Sequence, residues 1–127
     1  MFTHVTVGAN DLEASKRFYD AVLGVLGTPP GREDAKADRI FYLSSHGMFG
    51  ITRPIDGQAA CHANGGTIGF AASSPEAVLA FAEAGVAAGG VAIEDPAGPR
   101  NTPFGVMHLA YLRDPSGNKI CAVHRPG

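Results

Sequence analysis

Tryptophan is absent from the 127 residues and cysteine occurs only twice. No run of apolar residues approaches the roughly 20 that a bilayer-spanning helix requires, which excludes a helical membrane protein. Cys61 and Cys121 are too few to knit a disulfide scaffold. Basic clusters are missing as well. With 10 Lys plus Arg against 12 Asp plus Glu, and a formal charge of −2, the chain lacks the positive stripe that nucleic acid selects. The opening Met1-Phe2-Thr3-His4-Val5 has neither a basic leader nor an apolar signal core, so a soluble protein of a reducing cytoplasm is expected. What the chain does have is 45% hydrophobic residues against 17% charged ones. That is enough to build a core, at a length that suits one domain.

An internal repeat organises the sequence. At an offset of 63 positions Ala9 meets Ala72, Glu13 meets Glu76, Phe18 meets Phe81 and Gly27 meets Gly90. Each copy opens on a short β-like run, His4 to Val7 and Thr67 to Phe70, and then reaches a helix start. Asn10-Asp11 supplies side-chain oxygens for the first start. Ser73-Ser74-Pro75-Glu76 supplies the second, with capping-box spacing from Ser73 to Glu76. The first helix should end near Gly24 and the second near Gly85 or Gly89-Gly90. Strands follow each helix: Ile40 to Leu43 and Met48 to Thr52 around Ser44-Ser45-His46-Gly47, then Met107 to Arg113 and Lys119 to His124 around Asp114-Pro115-Ser116-Gly117-Asn118. The expected layout is a first module at about 1–56, a linker at about 57–65 and a second module at about 66–127. Glu94 to Gly105 holds three prolines and two glycines and is expected to be irregular, either a connection or a pocket cover.

These pieces resemble the vicinal oxygen chelate superfamily, the glyoxalase, bleomycin-resistance and extradiol-dioxygenase group. The resemblance lies in His4-Val5-Thr6-Val7, Asp11-Leu12-Glu13-Ala14-Ser15 with Phe18-Tyr19, Asn64-Gly65-Gly66-Thr67-Ile68-Gly69-Phe70, and Asp114-Pro115-Ser116-Gly117-Asn118-Lys119-Ile120. It implies one α+β glyoxalase-like domain spanning 1–127. Two βαβββ modules would pair into a curved, partly open mixed sheet, commonly as a homodimer. It also implies a metal held by residues on the first and last strand of each module, acting as a Lewis acid in the enzymes of the family. Drug-binding members use the same cavity without chemistry.

Carried over residue by residue, the implied ligand positions fall at His4, Phe49, Thr67 and Cys121. Only His4 matches. Phe has no donor, a Thr hydroxyl is a poor ligand for zinc, nickel or iron, and a His/Cys pair falls short of the three protein ligands of a catalytic site. Metal is therefore not expected, and the four positions read as vestigial. Each also has a plainer role: His4 as a hydrogen-bonded histidine at a strand start, and Cys121 as a small buried hydrophobe. Counting by twos puts His124 on the face opposite Cys121 and leaves the inward face of His108 open. Arg100, in the Pro/Gly-rich stretch, is the candidate lid contact to an anion, and an exposed loop charge is its plain alternative.

Two functions of different class follow from the resemblance. The first is binding of a small organic ligand in a cavity without the usual metal or any other cofactor. The alternative is a lactoylglutathione lyase-like or dioxygenase-type enzyme that uses zinc, nickel, manganese or iron, with ligands rearranged to His108 or Cys121 beside His4. The partners expected are a small molecule and a second copy of the chain, with no nucleic acid and no membrane.

Overall fold

The computed structural model describes residues 1–126. Along the chain run β1 (His4–Gly8), α1 (Leu12–Val25), β2 (Arg32–Asp34), β3 (Arg39–Ser44) and β4 (Gly47–Thr52). The same order then repeats as β5 (Ile68–Ala71), α2 (Pro75–Ala87), β6 (Val91–Thr102), β7 (Gly105–Arg113) and β8 (Lys119–His124). Each module folds into one four-stranded mixed sheet, β1-β4-β3-β2 and β5-β8-β7-β6. Within each sheet the first and last strands pair in parallel while the others are antiparallel. This is the α+β, twin-module architecture expected, with the two sheets not closed into a barrel.

Helix starts follow side-chain chemistry. Asp11 caps α1, accepting the Ala14 amide at 3.0 Å. In α2 the cap is Ser74, accepting the Ala77 amide at 3.1 Å, and not the Ser73 of the capping-box spacing. Pro75 explains the shift: proline favours the first helical position, so the residue directly before it becomes the cap. α1 runs one residue past Gly24, and α2 ends at Ala87, between the two glycine stops expected for it.

Two strands differ from the sequence reading for one physical reason. β2, Arg32-Glu33-Asp34, is fully exposed and carries no apolar pattern. The Glu94 to Gly105 stretch, expected to be irregular, belongs instead to the twelve-residue β6 and the turn into β7. Both β2 and β6 are sheet edges. An edge strand needs only one set of backbone partners, so it tolerates charge and proline that a central strand would reject. β6 absorbs Pro96 through a register shift between Ile93 and Gly98, after which Pro99 pairs opposite His108.

One face of each sheet packs on the helices. Ile40, Tyr42, Phe49 and Ile51 from the first sheet join Ala110, Leu112, Ile120 and Ala122 from the second around Phe18, Tyr19, Val22, Val78 and Phe81. The helices approach each other where Gly85 and Gly90 leave room for the Phe18 ring. Tyr19 is packed edge-on against Phe18 and lies 4.8 Å, centroid to centroid, from Phe49.

The Asp114-Pro115-Ser116-Gly117-Asn118 turn ties the modules together. Buried Asp114 accepts the Ser116 and Asn118 amides at 2.9 Å each, Asn118 Nδ2 at 2.9 Å and the Tyr19 hydroxyl of α1 at 2.6 Å. Asn118 Nδ2 also donates to Gly8 O, and the Asn10 amide donates to Ser116 Oγ. The most recognisable block of the sequence is thus an inter-module fastener.

Candidate functional site

Strand alternation divides each sheet into a helix-packed face and an open face. In the first sheet Val5, Val7, Phe49 and Ile51 face the helices. His4 and Thr6 take the other side, with Met48 and Gly50 beside them in register. A side chain built at Gly50 would meet Thr6 and Phe41. In the second sheet Ile120 and Ala122 face the helices. Lys119, Cys121 and Val123 take the open side, beside Gly69, Tyr111 and Leu109.

This geometry corrects the position read at Phe49. Its ring lies in the core, 5.1 Å from Phe70 and on the face opposite His4. The open-face residues of β4 are Met48 and Gly50, one residue to either side. A period-two strand converts a one-residue error of register into the wrong face. Thr67 is exposed directly before β5 and shares the side of Gly69. Cys121 is buried on the open face. Burial pushes its thiol up to about 11, with Lys119 opposing and Glu94 adding to the shift, so the sulfur carries its proton at neutral pH.

His108 does not join this set. It pairs in register with His124 and Pro99. Like His124, it sits on the face of Ala110, Leu112, Ile120 and Ala122. The His124 ring bonds Ala72 O at 3.0 Å, while His108 Nδ1 is buried without a hydrogen-bond partner. Arg100 is engaged by its own strand. Its guanidinium donates to Asp95 O and Pro96 O at 2.9 Å each, and to Gly98 O and Pro99 O at longer range, lashing the β6 bulge.

The donor set bears on the metal that the resemblance implies. His4 offers an imidazole, Met48 a soft thioether, Thr67 a hydroxyl and Cys121 a protonated thiol. Such a mixture fits neither a zinc nor an iron site, which need thiolate, imidazole or carboxylate ligands in sufficient number. Among the described residues no three His, Cys, Asp or Glu side chains are grouped closely enough to hold an ion.

Where the edges of β1 and β5 meet, a cavity of about 470 Å³ opens. Val5, Leu23, Met48, Phe49 and Phe70 wall it, and Thr3, His4, Ser44 and His46 form polar parts of its boundary. His4 is exposed, its Nδ1 2.9 Å from Thr3 Oγ1, which leaves Nε2 free for a ligand. His46, in the turn between β3 and β4, is exposed and also lines this cavity.

Residues 1–122 match the family described as the glyoxalase/bleomycin resistance protein/dioxygenase superfamily. The chain belongs to that superfamily. Among solved structures of the superfamily, a glyoxalase/bleomycin resistance protein from Albidiferax ferrireducens T118 is 59% identical, with 98% of this chain and 99% of that one covered and a TM-score of 0.95. A glyoxalase-related enzyme from Fulvimarina pelagi superposes at TM-score 0.75 and 23% identity, over 99% and 88% of the two chains. A lactoylglutathione lyase from Agrobacterium tumefaciens does so at TM-score 0.68 and 19% identity, over 98% and 92%. These last two share the fold alone. No curated protein matches the chain significantly. Among the described residues no helix is long and apolar enough to cross a membrane.

Proposed function

We propose that this superfamily member binds a small, largely apolar organic molecule in the cavity at the β1/β5 junction, without the usual metal. The cavity itself carries the reading: about 470 Å³ suits a small organic ligand, its walls are aliphatic and aromatic, and a few polar groups stand ready to orient what enters. The donor set at His4, Met48, Thr67 and Cys121 supports it by being poor in metal ligands. Apolar side chains left on the open face, with Leu43 42% exposed and Phe41 and Met48 half-buried, support a homodimer that covers them.

The test has two arms. Protein purified without chelator or affinity-tag nickel is analysed for bound elements, before and after dialysis against zinc, nickel, manganese and iron(II). A panel of small aromatic and aliphatic compounds is then screened by thermal shift, because a ligand that binds only the folded state raises the melting temperature by mass action. The expected result is no stoichiometric ion and at least one stabilising compound whose effect is lost in Phe70→Ala or Met48→Ala. One ion per chain or per dimer that His4→Ala removes would overturn the reading in favour of a metal-dependent lyase or dioxygenase. Light scattering at micromolar concentration tests the dimer.

A further inference from the structure

The open face of the second sheet carries more positive charge than its neighbours neutralise. Arg113 and Lys119 are direct partners across the β7/β8 ladder, so their side chains leave the same face of the sheet side by side. Like charges in that position repel, and here both residues are half-buried, where an unpaired charge costs more. One carboxylate serves the two: Glu94 pairs with the Lys119 ammonium. The Arg113 guanidinium has a single acceptor, Gly117 O at 3.0 Å, and no salt bridge among the described residues. Tyr111 lies beneath the Lys119 ammonium, which is 4.9 Å from its ring centroid.

Glu94 reaches this face by an unusual route. Ile93 pairs with Tyr111 and shares its side, so plain alternation would send Glu94 to the opposite face. Glu94 instead adopts φ +61, a left-handed conformation that only Asp38 shares among the described non-glycine residues, at the point where β6 shifts register. The bulge re-aims its carboxylate toward Lys119. The face also opens at Lys119 into a cavity of about 350 Å³ of mixed character, lined as well by Thr6, Val7, His62, Thr67, Ile68 and Asn118.

We propose that Lys119 and Arg113 form a binding site for the oxyanion of a small ligand, a carboxylate or a phosphate. Glu94 is the internal carboxylate that holds the Lys119 ammonium until the ligand displaces it. Lys119 and Arg113 leave one face of the sheet side by side, a carboxylate already sits against the Lys119 ammonium, and that carboxylate marks the position an external oxyanion takes. The site is separate from the apolar cavity at the β1/β5 junction and stands whether or not that cavity is filled.

The experiment titrates the full-length protein with benzoate, with its neutral relative benzyl alcohol and with inorganic phosphate, at constant ionic strength, by calorimetry. Benzoate, phosphate or both should bind in a way that Lys119→Met weakens, while any uptake of benzyl alcohol by the apolar cavity is the same in parent and variant, and benzoate against phosphate distinguishes the two sources of oxyanion. Glu94→Gln removes the competitor and should tighten oxyanion binding by roughly two- to fivefold, the range expected from releasing a partly exposed ion pair. Lys119→Met and Arg113→Met should each weaken it at least fivefold. Near-ultraviolet circular dichroism checks that each variant keeps its fold, and Lys119→Arg, which preserves the charge, should retain binding. The proposal fails if neither oxyanion binds, if Lys119→Met weakens benzoate no more than it weakens benzyl alcohol, or if Glu94→Gln binds oxyanion no more tightly than the parent. It fails equally if folded Lys119→Met binds like the parent. Uptake of neutral compounds by the apolar cavity should be untouched in all these variants, so failure here leaves the preceding function standing.

Discussion

Replacing Asp114 by Asn tests whether the turn between β7 and β8 holds the modules together. The carboxylate receives four hydrogen bonds: two backbone amides on Oδ1, and the Tyr19 hydroxyl and Asn118 Nδ2 on Oδ2. Asn supplies one carbonyl oxygen, which the two turn amides would claim. Its NH2 group then faces two donors at the position of Oδ2. Tyr19 can rotate its hydrogen and accept, but Asn118 Nδ2 is left against another donor in a site only 4% exposed. Hydrogen bonds to a charged acceptor contribute about 1.5–3 kcal/mol, and a stranded buried donor costs about as much, so Asp114→Asn should lose about 2–4 kcal/mol. Urea denaturation at neutral pH, followed by far-ultraviolet circular dichroism, would show a lower midpoint at unchanged slope. Tyr19→Phe should lose about 1–2 kcal/mol, and the double variant less than the sum, because the two substitutions break the same bond. A loss below about 1 kcal/mol for Asp114→Asn, or strict additivity of the pair, would refute the fastener.

Three further outcomes are expected. Under native conditions at neutral pH a thiol reagent should modify one cysteine, exposed Cys61, and reach Cys121 only on unfolding, because Cys121 is buried and its thiol is pushed up to about 11; two equally fast equivalents would contradict this. The Asp20 carboxyl is raised by its burial but lowered more strongly by the Gly31 amide, Lys16 and the Tyr42 hydroxyl, leaving it below its ordinary 3.8. A depressed carboxyl stabilises the fold above that ordinary value and loses the contribution as pH falls through the folded one. The stability gap between parent and Asp20→Asn should therefore be full near neutrality and shrink from about pH 4 downward, and a gap independent of pH would count against the assignment. Gly85→Ala should destabilise despite alanine's better helix propensity, since its methyl would collide with the end of fully buried Leu112 and crowd Val22 and Phe18. The expected net loss is about 1–2 kcal/mol, overpacking outweighing propensity, and a stabilised variant would show that the helices can part there.

The repeat, the helix caps and the hydrophobic strands were legible because each has a local cause: a side-chain oxygen, a proline, an alternating apolar run. The edges were not. β2 is three charged residues, and β6 carries proline where a central strand could not, so neither displays the pattern that betrays a buried strand. Site residues suffered most where one position decides the face. Counting in twos separated His124 from Cys121 as the sheet does, whereas the glycine-flanked β4 gave no anchor for its register, and Phe49 lies on the face opposite His4. The place of Glu94 beside Lys119 and Arg113 was not legible because it depends on a bulge that turns Glu94 over, and such a bulge has no periodic signature. Its one trace is a cluster of Pro and Gly just beyond Glu94.

The bonds across the module boundary run in one direction. Tyr19, Gly8 and Asn10 of the first half all attach to the turn between β7 and β8, whereas the matching turn between β3 and β4 is tight, with Ser44 bonding its own Gly47. A chain that has closed these bonds on itself cannot lend a module to a neighbour without first releasing them. Whether halves are kept or traded is therefore settled while the polypeptide folds. Afterwards the two forms would interconvert only as slowly as the whole molecule unfolds, so samples refolded dilute and concentrated would remember the concentration at which they were made.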